Sequence, residues 1–276
     1  TGNFHSIARH ALLHRRWVFA DGLRRDLLGR QVLQTPTFRD RLYTSLACSD
    51  NEPESSGRKM PRNYDKVERS EEDDSLFFFG SLFEYGLGFG AILIAALIKL
   101  NPLGPSFALS PVAVLSGLAW ALVLLGLMRA LLCVDSPGLR EIGAITEAFT
   151  RKLFLHRSNM QLLIFCIGAG FGEELLFRGV LQQGAVQLLA GPLGEASLYA
   201  GVGLVAVLFG AAHNMTPLYF QISCVGSLFF SAMFVTSGNV LVPIIAHAVY
   251  DLVALKITLA EINERDKLEE GKKGES

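Results

Sequence analysis

Two adjacent glutamates and an arginine lie inside an apolar run at residues 168–182, GAGFGEELLFRGVLQ. An unpaired charge in the middle of a bilayer costs from a few to more than ~10 kcal/mol, and ionisable residues there usually serve a function. Glu174 and Arg178 are four residues apart, so they share one face of a helix and can neutralise each other. Glu173 lies about 100° around the helix from them. The segment therefore predicts a buried ion pair with a second carboxylate beside it.

Three more polar residues interrupt the apolar segments that follow. His213 lies near the end of the stretch FGAAHN, and His247 and Asp251 lie four residues apart in IIAHAVYD, on one face of a helix. Carboxylates and imidazoles on three helices can converge on one water-filled cavity, where they would do acid–base chemistry. Structural explanations stay open, because the Glu174–Arg178 pair can simply lock helices together. His213 can be a packing residue, and His247 with Asp251 can form a hydrogen bond of purely structural value.

The composition around these residues is that of an integral membrane protein with polar ends. Half of the 276 residues are hydrophobic and 18% are charged, whereas soluble domains carry about 25% charged residues. Residues 1–75 hold a dense mixture of Arg, Asp and Glu, whereas residues 76–260 are nearly free of charge. The formal net charge of -1 averages these two parts and therefore says nothing about partners.

Six apolar segments follow the polar N-terminal region, and crossing a bilayer as a helix takes about 20 residues. They cover residues 76–100, 111–134, 160–190, 198–213, 217–236 and 239–260. Residues 139–154 place apolar side chains at helical spacing with charged ones opposite, which predicts a helix in the membrane interface or an ordinary amphipathic helix packed on the protein. The predicted fold class is all-α, a polytopic membrane bundle of about six transmembrane helices plus an interfacial amphipathic helix.

These segments divide the chain into four parts. They are a polar N-terminal region and linker at 1–75, two transmembrane helices and the interfacial helix at 76–159, a membrane domain with the polar motifs at 160–260, and a charged tail at 261–276. Lys and Arg occur in the link 135–159 and in the tail, and are absent from the links 101–110, 191–197 and 237–239. Basic residues mark the cytoplasmic side, so we expect a plasma (inner) membrane protein with both termini cytoplasmic.

The polar residues form three motifs in order on successive helices, Glu173-Glu174-x-x-x-Arg178, Phe209-x-x-x-His213 and His247-x-x-x-Asp251. In this order they resemble the motifs of the CAAX protease and bacteriocin-processing (CPBP, or Abi) family of intramembrane proteases. The resemblance covers roughly residues 165–255. Each motif alone is a weak signal, whereas the ordered set is a strong one. The third motif often ends in Asn in that family and ends here in Asp251.

The resemblance implies an endopeptidase that hydrolyses a hydrophobic or prenylated, CAAX-type peptide inside the membrane. Glu173 would take a proton from water, while His213 holds and polarises that water. His247 with Asp251 would stabilise the oxyanion on the scissile carbonyl. An anionic Asp251 cannot donate a hydrogen bond to that oxyanion and would instead orient His247. The supporting residues would be Glu174, Arg178 and Phe209.

A bound zinc ion also has to be considered, because members of the family are often named metalloproteases. Glu173, His213 and His247 would then supply three ligands, with water as the fourth. The helical H-E-x-x-H pattern is absent, so we favour a mechanism without a metal and expect no other cofactor. The expected partners are a peptide or lipidated protein substrate and the lipid bilayer, and no nucleic acid.

Two functions from other classes stay open on the sequence. A non-catalytic membrane scaffold would bind and stabilise a partner protein, with its polar residues only holding helices together. A transporter would use Glu, His and Asp on facing helices as a proton relay, although no internal repeat of the kind common in transporters is evident. Peptide hydrolysis by the purified protein, lost in Glu173→Ala, separates the protease from both.

Overall fold

The computed structural model describes residues 71–274. Its α-helices in chain order are α1 (Glu71–Leu97), α2 (Pro111–Leu132), α3 (Pro137–Phe154), α4 (Asn159–Glu174), α5 (Gln183–Leu193), α6 (Ser197–Ala212), α7 (Pro217–Ser237) and α8 (Leu241–Gly274). A π-helical segment, Leu175–Gln182, joins α4 to α5, and a 3-10 turn, Gly194–Ala196, joins α5 to α6. The described range contains no strand, so the predicted all-α class is confirmed. The polar region predicted at 1–75 lies outside the described residues except for its last five, which begin α1.

Polar caps and prolines start several of these helices. The side chains of Ser110, Ser136 and Thr216 each accept a hydrogen bond from a backbone amide of the first turn, and a proline follows each cap. Ser158 starts α4 with reciprocal hydrogen bonds to Gln161, a capping box. Such caps satisfy backbone amides that have no acceptor inside the helix. Local sequence is therefore sufficient to start these helices.

Five helical stretches of the described chain are long and apolar enough to cross a membrane, judged by length and composition. They are Glu71–Leu97, Pro111–Leu132, Asn159–Ala212, Pro217–Ser237 and Leu241–Gly271. The third has 54 residues, more than twice the ~20 residues that one crossing needs. It turns back near Gly194, and α5 packs against α6. This one stretch contains both of the segments predicted at 160–190 and 198–213. The five stretches therefore account for all six predicted spans.

Large apolar side chains cover the outside of the bundle. Phe89, Leu93 and Leu122, for example, are more than half exposed. Soluble proteins rarely expose contiguous apolar surface, whereas lipid tails are as apolar as leucine and solvate such a surface. The chain is therefore an integral membrane protein.

Two glycines bring α4 close to its neighbours beside the glutamates. A Cβ atom at Gly172 would lie 2.0 Å from the carbonyl oxygen of Glu84 in α1, and one at Gly170 would lie 2.7 Å from that of Ile244 in α8. No side chain fits at such distances without moving a helix backbone. Small residues allow membrane helices to pack this closely. Here they place the end of α4 against both α1 and α8.

Helix α8 continues past the apolar segment predicted at 239–260, into the predicted charged tail. Arg151 of α3 donates hydrogen bonds to both carboxylate oxygens of Asp266 at 2.8 Å, and Arg265 pairs with Glu147 of α3 at 2.5 Å. The apolar face of α3 packs against α8 and α1. Helix α3 is thus amphipathic as predicted, and its ion pairs with Arg265 and Asp266 lie in the part of α8 beyond residue 260.

Candidate active site

The two glutamates occupy the last turn of α4, and Arg178 lies in the π-helical segment that follows. In a π-helix the backbone hydrogen bonds join residues five apart, and such segments are frequent at functional sites. Glu173, Glu174 and Arg178 are all buried, in a chain segment that is otherwise apolar. Their contacts reach His213 at the end of α6 and residues of α7 and α8.

Glu174 connects the first motif to the third. One of its carboxylate oxygens accepts a hydrogen bond from Arg178 Nε at 2.8 Å, and the other lies 2.9 Å from His247 Nδ1. The first contact is the pair predicted from the four-residue spacing. The second contact was not predicted, and it ties α4 to α8 across the interior of the bundle.

Arg178 is enclosed by protein. Its Nη1 donates a hydrogen bond to Ser227 Oγ at 2.8 Å. The central carbon of its guanidinium lies 5.1 Å from the ring centre of Phe209 and 5.6 Å from that of Phe230. Aromatic faces attract a cation, and they do so more strongly where water is excluded. Paired oxygens and aromatic faces together offset part of the cost of burying this charge.

His247 lies between two carboxylates. Its Nδ1 faces Glu174 at 2.9 Å and its Nε2 faces Asp251 Oδ2 at 3.3 Å, while its ring stacks on Phe230 with centres 4.8 Å apart. An ionised carboxylate only accepts hydrogen bonds, and a histidine donates from both nitrogens only as an imidazolium. The arrangement therefore fits a charged His247 whose two N–H groups are both in use.

Glu173 contacts the other histidine. Its Oε2 lies 3.5 Å from His213 Nε2, while His213 Nδ1 lies 2.9 Å from the carbonyl oxygen of Phe209. Because a carbonyl only accepts, Nδ1 carries a proton and donates it, and when the ring is neutral Nε2 is an acceptor. In that state a carboxylate and an imidazole nitrogen face each other as two acceptors. A water molecule that donates one hydrogen to each would satisfy both.

The predicted site residues therefore form two adjoining groups. We name the first the ion-pair network, which comprises Glu174, Arg178, His247, Asp251 and Ser227. We name the second the Glu173–His213 pair. Phe209 joins the two groups, because its ring stacks on the His213 ring with centres 4.3 Å apart and also faces Arg178.

Two contact residues of α7 lie outside the sequence motifs. Ser227 belongs to a row of buried serines at four-residue spacing, Ser223, Ser227 and Ser231. That spacing in an apolar helix was a usable signal for a polar row facing the interior. Phe230, which packs between Arg178 and His247, gave no signal beyond its aromatic type.

The geometry also bears on the zinc ligand set of Glu173, His213 and His247. Both ring nitrogens of His247 already face carboxylates, so this residue would have to leave Glu174 or Asp251 to bind a metal ion. Within residues 71–274, no group of three or more His, Cys, Asp or Glu side chains is arranged to hold a metal ion. The donor set in this arrangement does not fit a zinc site.

Comparison with known proteins identifies a family over the part of the chain that carries both groups. Residues 156–253 match the family described as Rce1-like, type II CAAX prenyl endopeptidases. The uncharacterized protein YpbD of Bacillus subtilis (strain 168) is 28% identical over 125 residues, which are 44% of this chain and 57% of YpbD. The chain thus matches little more than half of that relative's length, and no solved structure matches the chain. The resemblance inferred from the three motifs is confirmed over the matched residues.

Proposed function

We propose that this protein is an intramembrane endopeptidase that hydrolyses a hydrophobic or prenylated, CAAX-type peptide with water activated by Glu173 and His213. The match of residues 156–253 to the Rce1-like family supports peptide hydrolysis as the general activity. The observation that carries the mechanism is the Glu173–His213 pair, whose facing Oε2 and Nε2 atoms lie 3.5 Å apart. Two acceptors at this separation suit one water molecule and give its proton a destination.

The proposed reaction uses one water molecule and regenerates the enzyme. Water donates a hydrogen bond to His213 Nε2, and Glu173 takes its other proton as the water oxygen attacks the peptide carbonyl carbon. The tetrahedral intermediate collapses with cleavage of the C–N bond, and the proton on Glu173 passes to the leaving nitrogen. The products are a new carboxyl terminus and a new amino terminus.

The ion-pair network has a positioning role in this proposal. Glu174 is held by Arg178 at 2.8 Å and by His247 at 2.9 Å. Because Glu173 is the preceding residue of the same helical turn, holding Glu174 limits the directions in which the Glu173 side chain extends. A catalytic group that is held in place before the reaction avoids an entropic cost in the transition state.

Hydrolysis by the purified protein in liposomes tests the proposal, with a panel of prenylated and unprenylated hydrophobic peptides as substrates. We expect the wild-type protein to cleave at least one peptide class and Glu173→Gln to cleave none. The matched control is Gln161→Glu, which places a new carboxylate in the first turn of α4, well before the site, and should retain activity. A folded wild-type protein that leaves the whole panel intact would overturn the proposal.

One observation favours a second function, in which the protein binds and stabilises a partner protein without cleaving it. Asp251 stands where the family motif often has Asn, and it faces the second nitrogen of His247 at 3.3 Å. That contact occupies Nε2 of His247, a residue to which the family resemblance assigns the stabilisation of the oxyanion. If this second function is correct, the wild-type protein cleaves none of the peptides in the panel, and Glu173→Gln stabilises the partner protein as well as the wild-type protein does.

We further propose that hydrolysis needs no metal ion, because His247 is held by two carboxylates and the Glu173–His213 pair suits a water molecule. Protein stripped with a strong chelator should keep its turnover, measured on the peptide that it cleaves best. Zinc at one per chain in active protein, lost together with activity in Glu173→Ala, would contradict this.

Both chain ends lie on the cytoplasmic side in our proposal. The basic residues Arg151 and Lys152 of α3 contact the carboxylates of Asp266 near the end of α8 and Glu72 at the start of α1, and basic residues mark the cytoplasmic side. A cysteine reagent confined to the outside should label cysteines placed at Gly194 or Ser237. Labelling at Ser158 alone would invert the orientation.

A further inference from the structure

A cleft of about 230 Å³ lies at one end of the bundle, between α5, the start of α6 and the end of α7. Its lining includes Gly238, directly after α7, and Pro105, in the link before α2. Helices α2 and α7 are both long and apolar enough to cross a membrane, so their ends lie where the headgroup region of a bilayer begins. Lipid molecules can therefore reach the cleft.

The walls of the cleft combine apolar side chains with three glutamines. They include Val186, Phe234, Val235, Gln182, Gln183 and Gln187. None of the described residues that line the cleft is charged. Anionic lipid headgroups bind at basic pockets, and this cleft offers them no basic partner. Its lining favours a molecule that is apolar along most of its length and uncharged at its polar end.

Gln182 indicates what that polar end must supply. It is the last residue of the π-helical segment and is 2% exposed, and its Oε1 has no hydrogen-bond partner among the described residues. A buried amide oxygen without a donor costs free energy. The neighbouring Gln183 donates from Nε2 to the carbonyl oxygens of Asn101 and Gly179, both at 2.8 Å, so its amide oxygen is the atom that it can offer a ligand. The cleft therefore calls for a hydrogen-bond donor without a charge.

We propose that this cleft binds an uncharged membrane lipid whose polar end is a free hydroxyl group. The hydroxyl donates a hydrogen bond to Gln182 Oε1, and the hydrocarbon next to it packs on Val186, Phe234 and Val235. At about 30 Å³ for each water-sized group, the cleft holds roughly eight such groups. It therefore encloses the polar end of the lipid, while the rest extends into the bilayer. Diacylglycerols and sterols share this chemistry.

The bound lipid would connect two elements that position the ion-pair network. Gln182 belongs to the same π-helical segment as Arg178, and Phe234 belongs to α7, as does Ser227. Arg178 and Ser227 already join these elements at 2.8 Å. A ligand that binds only the folded protein stabilises it, so the lipid should raise the thermal unfolding midpoint in detergent. This inference does not depend on peptide hydrolysis.

Native mass spectrometry of the full chain in detergent tests the proposal with defined lipids. Dioleoylglycerol and cholesterol are each added with a free hydroxyl and in acetylated form, beside phosphatidylglycerol and phosphatidylcholine. We expect one free-hydroxyl lipid per chain, bound at least about tenfold more tightly than its acetate, because acetylation removes the donor. The tighter of the two free-hydroxyl lipids identifies the lipid class. Equal binding of free and acetylated forms, or tightest binding of a phospholipid, overturns the inference.

Two variants locate the binding in this cleft. Val235→Trp fills the cleft without replacing a buried residue and should weaken lipid binding at least about tenfold. Its matched control is Val225→Trp, because Val225 lies on the same helix, is similarly exposed and does not line the cleft. Binding that is the same in both variants places the lipid elsewhere and overturns the inference.

Gln182→Leu tests the hydrogen bond, because it removes the acceptor and keeps an apolar side chain. We expect this variant to bind the free and acetylated lipids equally well. Because this preference is a ratio measured on one variant, incomplete folding does not produce the loss. A Gln182→Leu protein that still prefers the free hydroxyl overturns the assignment of Gln182 and with it the inference.

Discussion

Glu173 and Glu174 are adjacent in the same turn of α4, and their surroundings differ in what they can do. Glu174 is inaccessible and is held by Arg178 and His247 at 2.8 and 2.9 Å. Glu173 faces His213 across 3.5 Å, and the His213 side chain is 22% exposed. Short contacts to both carboxylate oxygens hold Glu174 in one conformation, whereas the longer contact to His213 holds Glu173 less tightly. Burial alone therefore does not distinguish the two carboxylates, and the contacts around them do.

The largest expected effect lies on the Glu173 side. Glu173→Gln keeps the size of the side chain and removes the base, so hydrolysis should fall by about 10³-fold or more, measured as initial rate on the best peptide substrate. The thermal unfolding midpoint in detergent should stay close to that of wild type, because the ion-pair network is untouched. A variant that unfolds early would show that Glu173 also belongs to the structural half of the site.

The Glu174 side should respond in the opposite way. Arg178→Ala leaves Glu174 without its arginine in a buried site, and breaking such a pair costs about 3–5 kcal/mol of stability. Unfolding in detergent, followed by circular dichroism, should show this loss. Arg140→Ala is the matched control, because Arg140 pairs with Asp135 where both side chains are about half exposed, and it should cost less than about 1 kcal/mol. Equal losses would mean that the network contributes no more than a surface pair.

His213→Ala tests whether the second acceptor matters for the water. We expect kcat to fall by about 10²-fold while the unfolding midpoint changes little, because the ring lies at the end of α6 and is partly exposed. Rate measurements at saturating peptide give the result. Loss of stability with unchanged turnover would assign His213 to packing against Phe209 instead.

The smallest expected effect concerns Ser227. Ser227→Ala removes the hydrogen bond that Arg178 Nη1 donates, and a bond to a charged group contributes about 1.5–3 kcal/mol. Ser231→Ala is the control, because Ser231 is also buried and its Oγ has no hydrogen-bond partner within the described chain. Denaturant unfolding should rank Ser227→Ala below Ser231→Ala in stability. The reverse order would remove Ser227 from the ion-pair network.

Much of the helical layout could be predicted from the sequence. Apolar segments of spanning length, Ser and Thr caps followed by proline, and the four-residue spacings of Glu174–Arg178 and His247–Asp251 are all local features. Each depends on residues within one or two helical turns, so it can be recognised without knowing which helices are neighbours. The last helix was predicted to end near residue 260 and extends to Gly274. Beyond residue 260 the sequence is no longer apolar, and the helix is stabilised there by ion pairs with α3.

The tertiary structure alone decided that Glu174 also binds the third motif, and which residues surround the ion pair. The Glu174–His247 contact joins residues 73 positions apart, and it exists because Gly170 lets α4 approach the backbone of α8. Ser227 reaches Arg178 across 49 positions, from a helix whose neighbours its sequence does not specify. Residue type and spacing determined which side chains can take or give a proton. The approach of the helices determined that Glu174 is held between Arg178 and His247, while Glu173 faces His213.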